Sequence, residues 1–241
     1  MRSLSGSAYW DGSYADGSLE SAIYAERERR VLDWIEGLEL APGARVLDAG
    51  CGAGRLAAAL GLRGFAVSAV DASPEMVALA RENGVEAELG DAQTLGFPDD
   101  AFELVLGIGL LPWLSSPIQG LRELARVLRP GGYVILTTDN PRRLSWFLDP
   151  RHLPWLAPLR RALRPRRQRL HTPRQADGLL AQAGLEKARG ETLGFGPFTF
   201  LGRRMLASPR LEARLQAMAD GGTVGLRASG RQYLALARKP K

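Results

Sequence analysis

Glycines alternate with small residues at positions 50–54, directly after the apolar pair Val46-Leu47 and the acid Asp48. This order predicts a strand and a tight turn, followed by a helix at about residues 55–60. Glycine lets a ligand approach the backbone closely, and the free N–H groups at a helix start can hold a polar or anionic group. We therefore expect a nucleotide-like ligand at this turn.

The spacing of the glycines bears on which nucleotide is bound. A dinucleotide fingerprint reads Gly-x-Gly-x-x-Gly, and its third glycine permits close packing of the helix on the strand. Here Arg55 stands where that third glycine would be. The turn alone therefore does not specify the cofactor, and a nicotinamide dinucleotide is the weaker alternative.

Acidic residues end the next two predicted strands. Residues 66–70 form a short apolar run that ends at Asp71, which can accept both hydroxyls of an adenosine ribose. A third strand at 86–89 ends before Asp91 and Ala92, where a carboxylate and a backbone N–H can contact adenine. The two acids predict an adenosine in the crevice beside the first strand.

The elements that must position these residues alternate along the chain. Ser73-Pro74-Glu75 predicts a helix start, with Met76 on the inward face. Residues 102–107 read as a buried fourth strand, and a helix then runs up to a break at 129–132, before a fifth strand at 133–138. Strands alternating with helices predict a doubly wound α/β sheet.

The remaining third of the chain completes the sheet in our reading. Thr172-Pro173 predicts a helix start, and strands follow at 186–193 and 232–237. We expect the last two strands to be antiparallel and joined by a long excursion with a helix at 209–219. The aromatic residues of that excursion are expected in the substrate pocket or a dimer interface, so monomer and homodimer both stay open.

Taken together, these motifs resemble those of the class I S-adenosylmethionine-dependent methyltransferases. The branch with ubiquinone, menaquinone and natural-product O- and C-methyltransferases is the most similar. The resemblance implies a Rossmann-like seven-stranded methyltransferase sheet with cap insertions, and S-adenosyl-L-methionine as cofactor. It is close over about residues 24–138. The matching elements are 46–54, Asp71 with 73–76, 90–92, 97–98 and 128–132.

The resemblance also implies roles for single residues. The turn would pass beneath the methionine moiety, Asp71 would bind the ribose, and Asp91 with Ala92 would read adenine. An arginine on the first helix would reach the cofactor carboxylate, with Arg29 and Arg30 as alternatives to Arg27. The cofactor-binding candidates are Tyr24, Arg27, Gly50, Cys51, Gly52, Asp71, Met76, Asp91, Ala92, Gly107 and Ile108.

At three places this chain lacks a motif that related methyltransferases carry, which bears on the catalytic base, the class of substrate and the presence of a metal. Many relatives carry a histidine after the fourth strand, where this chain has Leu111-Pro112-Trp113. Residues 107–110 lack the Asn/Asp-Pro-Pro-Tyr element of nucleic-acid and protein amine methyltransferases. Asp139-Asn140 is similar to half of a catechol-type metal site, but the second acid is missing, so we predict no metal.

An oxygen nucleophile would need deprotonation, for which histidine is the usual base. The chain has two histidines, His152 and His171. His171 lies at the junction of an insertion and a helix start, and is our candidate catalytic base. A surface or capping role is the alternative for His171, and an acidic phenol or stabilised carbanion would need no protein base.

Length and composition indicate the number of domains and the location of the protein. A chain of 241 residues with 45% apolar residues can form one methyltransferase domain, with a cofactor-binding core at 24–139 and insertions at 140–171 and 194–231. The single cysteine, Cys51, permits no internal disulfide. The longest uncharged apolar run, 104–114, is too short to span a bilayer. We therefore expect a cytoplasmic protein.

The first insertion is basic and aromatic. Nine of the 29 arginines lie at 142–169 against one acid, Asp149, and the chain has only three lysines. Position along the chain places this segment over the crevice, where it suits a hydrophobic acceptor with an anionic or carbonyl part. Contact with an anionic membrane surface and a solvated basic elaboration are the alternatives. We expect a small-molecule acceptor and no specific nucleic acid.

Aromatic residues near the crevice are the candidates for acceptor binding. The resemblance implies that an entry segment at 3–17 folds over the bound cofactor, and a disordered terminus is the alternative. The substrate-binding candidates are Tyr14, Trp113, Trp146 and Trp155. The function predicted is methyl transfer to an oxygen or carbon of a small hydrophobic metabolite. A non-catalytic cofactor-binding module and a nicotinamide-dependent oxidoreductase are the alternatives.

Overall fold

A computed structural model describes residues 19–146, 168–201, 203–206 and 208–241. Seven strands form one sheet in the order β3-β2-β1-β4-β5-β9-β6. The first five strands pair in parallel, and β9 pairs antiparallel with both β5 and β6. The strands are β1 Arg45–Ala49, β2 Ala66–Asp71, β3 Ala87–Leu89, β4 Phe102–Gly107, β5 Leu128–Asp139, β6 Glu186–Leu193 and β9 Gln232–Arg238.

Helices cover both faces of this sheet, which confirms the doubly wound α/β prediction. Buried strand residues alternate in direction: Leu104 packs with α1 and α2, whereas Val105 packs with α4 and α5. The helices are α1 Leu19–Glu36, α2 Arg55–Gly61, α3 Pro74–Glu82, α4 Pro117–Val127, α5 Pro173–Gln182 and α6 Pro209–Asp220. No helix in the described ranges is both long and apolar enough to cross a membrane.

The fifth strand begins earlier than the sequence predicted. β5 starts at Leu128, directly after α4, and not at Tyr133. Leu128 pairs with Phe102, and a register shift follows before Tyr133 pairs with Leu104. The Arg-Pro-Gly-Gly segment therefore forms an irregular start of the strand. It is held by the N–H of Gly131, which donates to the Lys239 carbonyl at 2.8 Å.

The excursion between β6 and β9 contains a hairpin that the sequence analysis missed. Phe198–Phe200 (β7) pairs antiparallel with Arg203–Leu206 (β8) in a separate two-stranded sheet. Strands of three and four residues give too little alternation to be recognised in a sequence. Phe200 and Leu206 are exposed, whereas Phe195 is fully buried.

Candidate active site

The carboxyl ends of β1, β2, β4 and β5 open onto one cavity of about 1190 Å³. Ligands of open α/β sheets bind at this edge. Small-molecule sites usually enclose about 300–1,000 Å³, so this cavity has room for a cofactor and a second ligand. Candidate cofactor residues line one side, and residues from β5, β9 and their flanks line the other.

The glycine turn is shaped for a ligand on one side and a helix on the other. Gly52 has a positive φ of 54°, and a Cβ built there would meet nothing within 4 Å. Gly54 also has a positive φ, but its Cβ would lie 3.0 Å from both Ala80 Cβ and Val85 Cγ2. Gly52 therefore leaves space at the cavity, whereas Gly54 allows the turn to pack against α3.

Asp71 joins the turn to the end of β2. Its Oδ2 accepts from the Gly52 N–H at 2.9 Å, and its Oδ1 accepts from the Ser73 N–H at 2.9 Å. Each oxygen of a carboxylate can accept more than one hydrogen bond. Asp71 lines the cavity with capacity for two hydroxyls, which fits the ribose predicted there.

Asp91 and Ala92 line the cavity after β3, and Gln93 holds the loop that carries them. The Gln93 N–H donates to Asp91 Oδ1 at 2.9 Å, and the Gln93 Oε1 accepts from the Ser116 N–H at 2.7 Å. Gln93 therefore fixes this loop to the start of α4. Sequence reasoning missed Gln93, because its partner lies 23 residues further along the chain.

Of three neighbouring arginines on α1, the structure brings one to the cavity. Arg27 is buried, and its guanidinium carbon lies 4.8 Å from the centroid of the Tyr24 ring. Both residues line the cavity. Arg29 instead pairs with Glu26 at 2.8 Å, and Arg30 pairs with Asp220 at 2.6 Å. The alternatives to Arg27 are thus occupied elsewhere.

The remaining cofactor candidates differ in whether they line the cavity. Gly50, Cys51, Met76 and Ile108 line the cavity, but Gly107 does not. Gly107 is the last residue of β4, and its Cβ position faces Leu124 at 3.5 Å, inside the core.

Burial, with the nearby acids Asp48 and Asp71, raises the pKa of the Cys51 thiol to about 12. Cys51 is therefore a neutral wall residue at physiological pH.

Asp48 is a cavity residue that the sequence analysis did not select. It lies in β1 and is 3% exposed, and it lines the cavity beside the turn. Burial and the charge of Asp71 raise its pKa from 3.8 to about 7. Its position in a strand after two apolar residues was the available signal, because buried acids in strands are rare.

This raised pKa predicts a pH-dependent stability. Between the unfolded value of 3.8 and about pH 7, the unfolded chain loses the Asp48 proton and the folded protein keeps it. The folded state therefore loses stability as pH rises through that window, by at most about 4 kcal/mol at 1.36 kcal/mol per unit. We expect Asp48→Asn to lack this loss. Urea unfolding at pH 4 and pH 8 measures it, and equal pH slopes for both proteins would refute it.

His171 lies behind the cavity wall. It is not among the lining residues, and its Nδ1 lies 3.5 Å from Oγ1 of Thr138, which does line the cavity. Burial and the charge of Arg169 lower the pKa of His171, so the imidazole is neutral near pH 7. Among the described residues, Thr138 therefore joins His171 to the cavity wall.

The aromatic candidates for substrate binding also differ in whether they line the cavity. Trp113 lines the cavity and is 52% exposed. Trp146 does not line it, but stacks on Arg143, whose guanidinium carbon lies 3.7 Å from the ring centroid and which does line it. Tyr14 and Trp155 lie outside the described residues.

Asn140 has a structural role at the first insertion. Its side-chain amide donates to the carbonyls of Ala228 and Gly230, and its oxygen accepts from the Arg142 N–H. These bonds hold the chain leaving β5 against the chain entering β9. Within the described ranges, no three His, Cys, Asp or Glu side chains come together as a metal-binding group.

In a comparison with known protein families, residues 47–136 match the model of the family described as a methyltransferase domain. The chain is 33% identical over 139 residues to a ubiquinone biosynthesis O-methyltransferase of Xanthomonas campestris, covering 55% of this chain and 56% of that protein. It is 35% identical over 129 residues to the malonyl-acyl-carrier-protein O-methyltransferase of Serratia marcescens, covering 52% and 50%. The matches thus span about half the length of these relatives.

Solved structures extend the likeness to most of the chain. The [4+2]-cyclase SpnF matches with a TM-score of 0.59 at 27% identity, over 88% of this chain and 81% of that one. Magnesium protoporphyrin IX methyltransferase from Synechocystis, solved with bound S-adenosylhomocysteine, matches with a TM-score of 0.67 at 19% identity, over 97% and 94%. The second match shows the shared fold alone. The region that matches the methyltransferase domain family, residues 47–136, begins in β1 and ends in β5, and it therefore contains the glycine turn, Asp71 and Asp91.

Proposed function

We propose that this protein transfers the methyl group of S-adenosylmethionine to an oxygen or carbon of a small, mostly hydrophobic acceptor. The observation that carries the proposal is a single cavity with two halves, one lined by the glycine turn and Asp71, the other by residues of β5 and β9. Oxygen is the favoured target, because both curated relatives described above are named as O-methyltransferases.

The residues of the first half suit S-adenosylmethionine. Gly52 leaves open space where a side chain would stand, and Asp71 retains hydrogen-bonding capacity for the ribose hydroxyls. We assign the adenine to Asp91 and Ala92, and the methionine carboxylate to Arg27. The bound cofactor would supply a methyl group already activated on a sulfonium sulfur.

What the chain contributes to the reaction is placement and exclusion of water. Leu110, Pro112 and Trp113 line the cavity beside the turn and give the acceptor an apolar wall. Thr138 lines the cavity and its Oγ1 lies 3.5 Å from His171 Nδ1. In our proposal, a hydroxyl acceptor gives its proton to the Thr138 hydroxyl, which gives its own proton to the neutral imidazole. An acceptor that ionises unaided would not need this route.

A second candidate function is cofactor binding without methyl transfer. The solved structure at 27% identity is named as a [4+2]-cyclase, so the fold at this degree of similarity also occurs in a protein named for other chemistry. Such a role would keep the cofactor half of the cavity and change only the acceptor half. A nicotinamide-dependent reaction is disfavoured by Arg55 in the place of the third fingerprint glycine.

Two measurements separate these functions. Calorimetric titration with S-adenosylhomocysteine and with NAD distinguishes the methyltransferase cofactor from the dinucleotide. Incubation with S-adenosylmethionine carrying a labelled methyl group, against a panel of phenols and carboxylic acids, tests transfer itself. Labelled product supports the methyltransferase proposal, whereas tight S-adenosylhomocysteine binding without transfer to any compound favours the second candidate.

We expect nucleic acid to bind weakly and without sequence preference, despite the net charge of +6. Each phosphate that a protein neutralises releases counterions, so such binding falls steeply with salt. Fluorescence anisotropy with a labelled oligonucleotide should show binding at low salt that disappears near physiological salt. Tight binding at physiological salt, or methylation of the oligonucleotide, would contradict a small-molecule acceptor.

The cytoplasmic location, the contact with a membrane surface and the choice between monomer and homodimer stay predictions from the sequence.

A further inference from the structure

Charged residues of both signs line the cavity, and two of its arginines lie at the end away from the glycine turn. Asp48, Asp71 and Asp91 lie at or just after the ends of β1, β2 and β3. At the other end, the flanks of β5 and β9 supply Arg143 and Arg231. The first group suits a cofactor with hydroxyls and a positive sulfonium. The second group faces the part of the cavity left for the acceptor.

Arg231 lies far from the glycine turn. It directly precedes β9, and β4 and β5 separate β9 from β1 in the sheet. Three strand spacings of about 4.8 Å place the two strands roughly 14 Å apart. The Tyr24 ring lies near both arginines, with its centroid 4.8 Å from the Arg27 guanidinium carbon and 5.9 Å from that of Arg231. We assign Arg27, on α1, to the cofactor and Arg231, beside β9, to the acceptor.

The hydrogen-bonding capacity of Arg231 is incompletely used. Within the described part of the chain, its buried Nε has no hydrogen-bond partner. Burial raises the pKa of the nearby Glu212 carboxyl, and the charge of Arg231 acts against that rise. Glu212 already accepts from the N–H groups of Phe195 and Gly196. A buried guanidinium donor without a partner costs free energy, which a bound acceptor group would recover.

Gln232 presents a second unused polar atom at the same place. Its Nε2 donates to Asp139 Oδ1 at 3.3 Å, which fixes the orientation of the amide because the carboxylate can only accept. Its Oε1 is buried and has no partner among the described residues. Two consecutive residues that line the cavity thus each have one buried polar atom without a hydrogen-bond partner among the described residues.

We propose that the methyl acceptor carries a carboxylate bound by Arg231, with a hydroxyl that donates to Gln232 Oε1. The proposal rests on the methyl-transfer function proposed above, and it specifies the acceptor as a hydroxylated carboxylic acid. The planar fork of a guanidinium matches a carboxylate with two parallel hydrogen bonds. Arg143, stacked on Trp146 in the same wall, adds positive charge that offsets Asp139.

The test uses two probe compounds of nearly the same shape, 3,4-dihydroxybenzoate with a charged carboxylate and 3,4-dihydroxybenzamide with a neutral amide. Each is titrated into the full chain saturated with S-adenosylhomocysteine, and binding is followed by calorimetry or ligand-observed NMR at pH 7.5. We expect the wild type to bind the acid at least roughly tenfold more tightly than the amide, the size expected for a hydrogen bond between charged groups.

Arg231→Gln removes the positive charge and the planar guanidinium group with its parallel N–H donors. It should abolish the preference for the acid and leave the affinity for S-adenosylhomocysteine within about twofold of wild type, since Arg231 lies outside the cofactor half. Arg214→Gln on the exposed face of α6 makes the same charge change and should keep the wild-type preference. Thermal melting of each variant confirms that it is folded.

The possible results distinguish a failure of the carboxylate site from a failure of the proposed methyl transfer. Wild-type protein that fails to bind S-adenosylhomocysteine would defeat the proposed methyl transfer. Protein that binds S-adenosylhomocysteine but binds the acid and the amide equally, or binds neither, would defeat only the carboxylate site. Equal weakening of S-adenosylhomocysteine and the acid in Arg231→Gln would place Arg231 in the cofactor half and also overturn the proposal.

Discussion

Asp71→Ala is expected to weaken S-adenosylhomocysteine binding by about 2–4 kcal/mol, roughly thirtyfold to a thousandfold. The variant loses the acceptor proposed for the ribose hydroxyls. It also loses the bonds from the Gly52 and Ser73 N–H groups, both 2.9 Å long, that hold the turn next to β2. Isothermal titration calorimetry measures the change directly.

The control for this variant is Glu82→Ala, which removes an exposed carboxylate at the end of α3. It should bind S-adenosylhomocysteine as the wild type does. If Asp71→Ala keeps a wild-type melting temperature and wild-type affinity, the ribose assignment is wrong.

A matched pair of glycine substitutions should separate the ligand side of the turn from its packing side. Gly52→Ala adds a methyl group where nothing lies within 4 Å, so the protein should fold, with a cost of about 1–2 kcal/mol for the left-handed backbone. That methyl group stands where the cofactor is proposed to pass. We expect at least a tenfold loss of S-adenosylhomocysteine affinity.

Gly54→Ala should instead lose stability. Its new Cβ would lie 3.0 Å from Ala80 Cβ and from Val85 Cγ2, on a backbone with a φ of 75°. Backbone strain and overpacking together predict a loss of roughly 2–5 kcal/mol in the free energy of unfolding. Urea unfolding and calorimetry on both variants test the pair. A Gly52→Ala protein with unchanged affinity would show that the cofactor does not pass this turn.

The cofactor half of the cavity was predictable from the sequence because its determinants are local. The turn at 50–54, Asp71, and Asp91 with Ala92 each follow a strand within a few residues, and all of them line the cavity except Gly54. Ser73 caps α3 as expected, with its hydroxyl accepting from the Met76 N–H. In a parallel sheet, the residue after each strand necessarily reaches the same edge.

The acceptor half was not predictable, because its residues come together only through tertiary structure. Gln232 reaches Asp139 across 93 residues through the antiparallel pairing of β5 and β9. Arg231 and Thr137 belong to no motif, and neither was selected from the sequence. His171 was selected for its position along the chain, but it is not among the residues that line the cavity. Gly107 faces the core because β4 ends one residue before the cavity wall begins.

The proposed functional site is tested most directly by a crystal structure of the protein with S-adenosylhomocysteine. We expect the ribose hydroxyls on the Asp71 carboxylate, the adenine beside Asp91 and Ala92, and the methionine carboxylate at Arg27. We also expect the sulfur to face an unfilled space bounded by Thr138 and Arg231. Density for S-adenosylhomocysteine in another orientation, or with its carboxylate on Arg231, would contradict the division of the cavity into a cofactor half and an acceptor half.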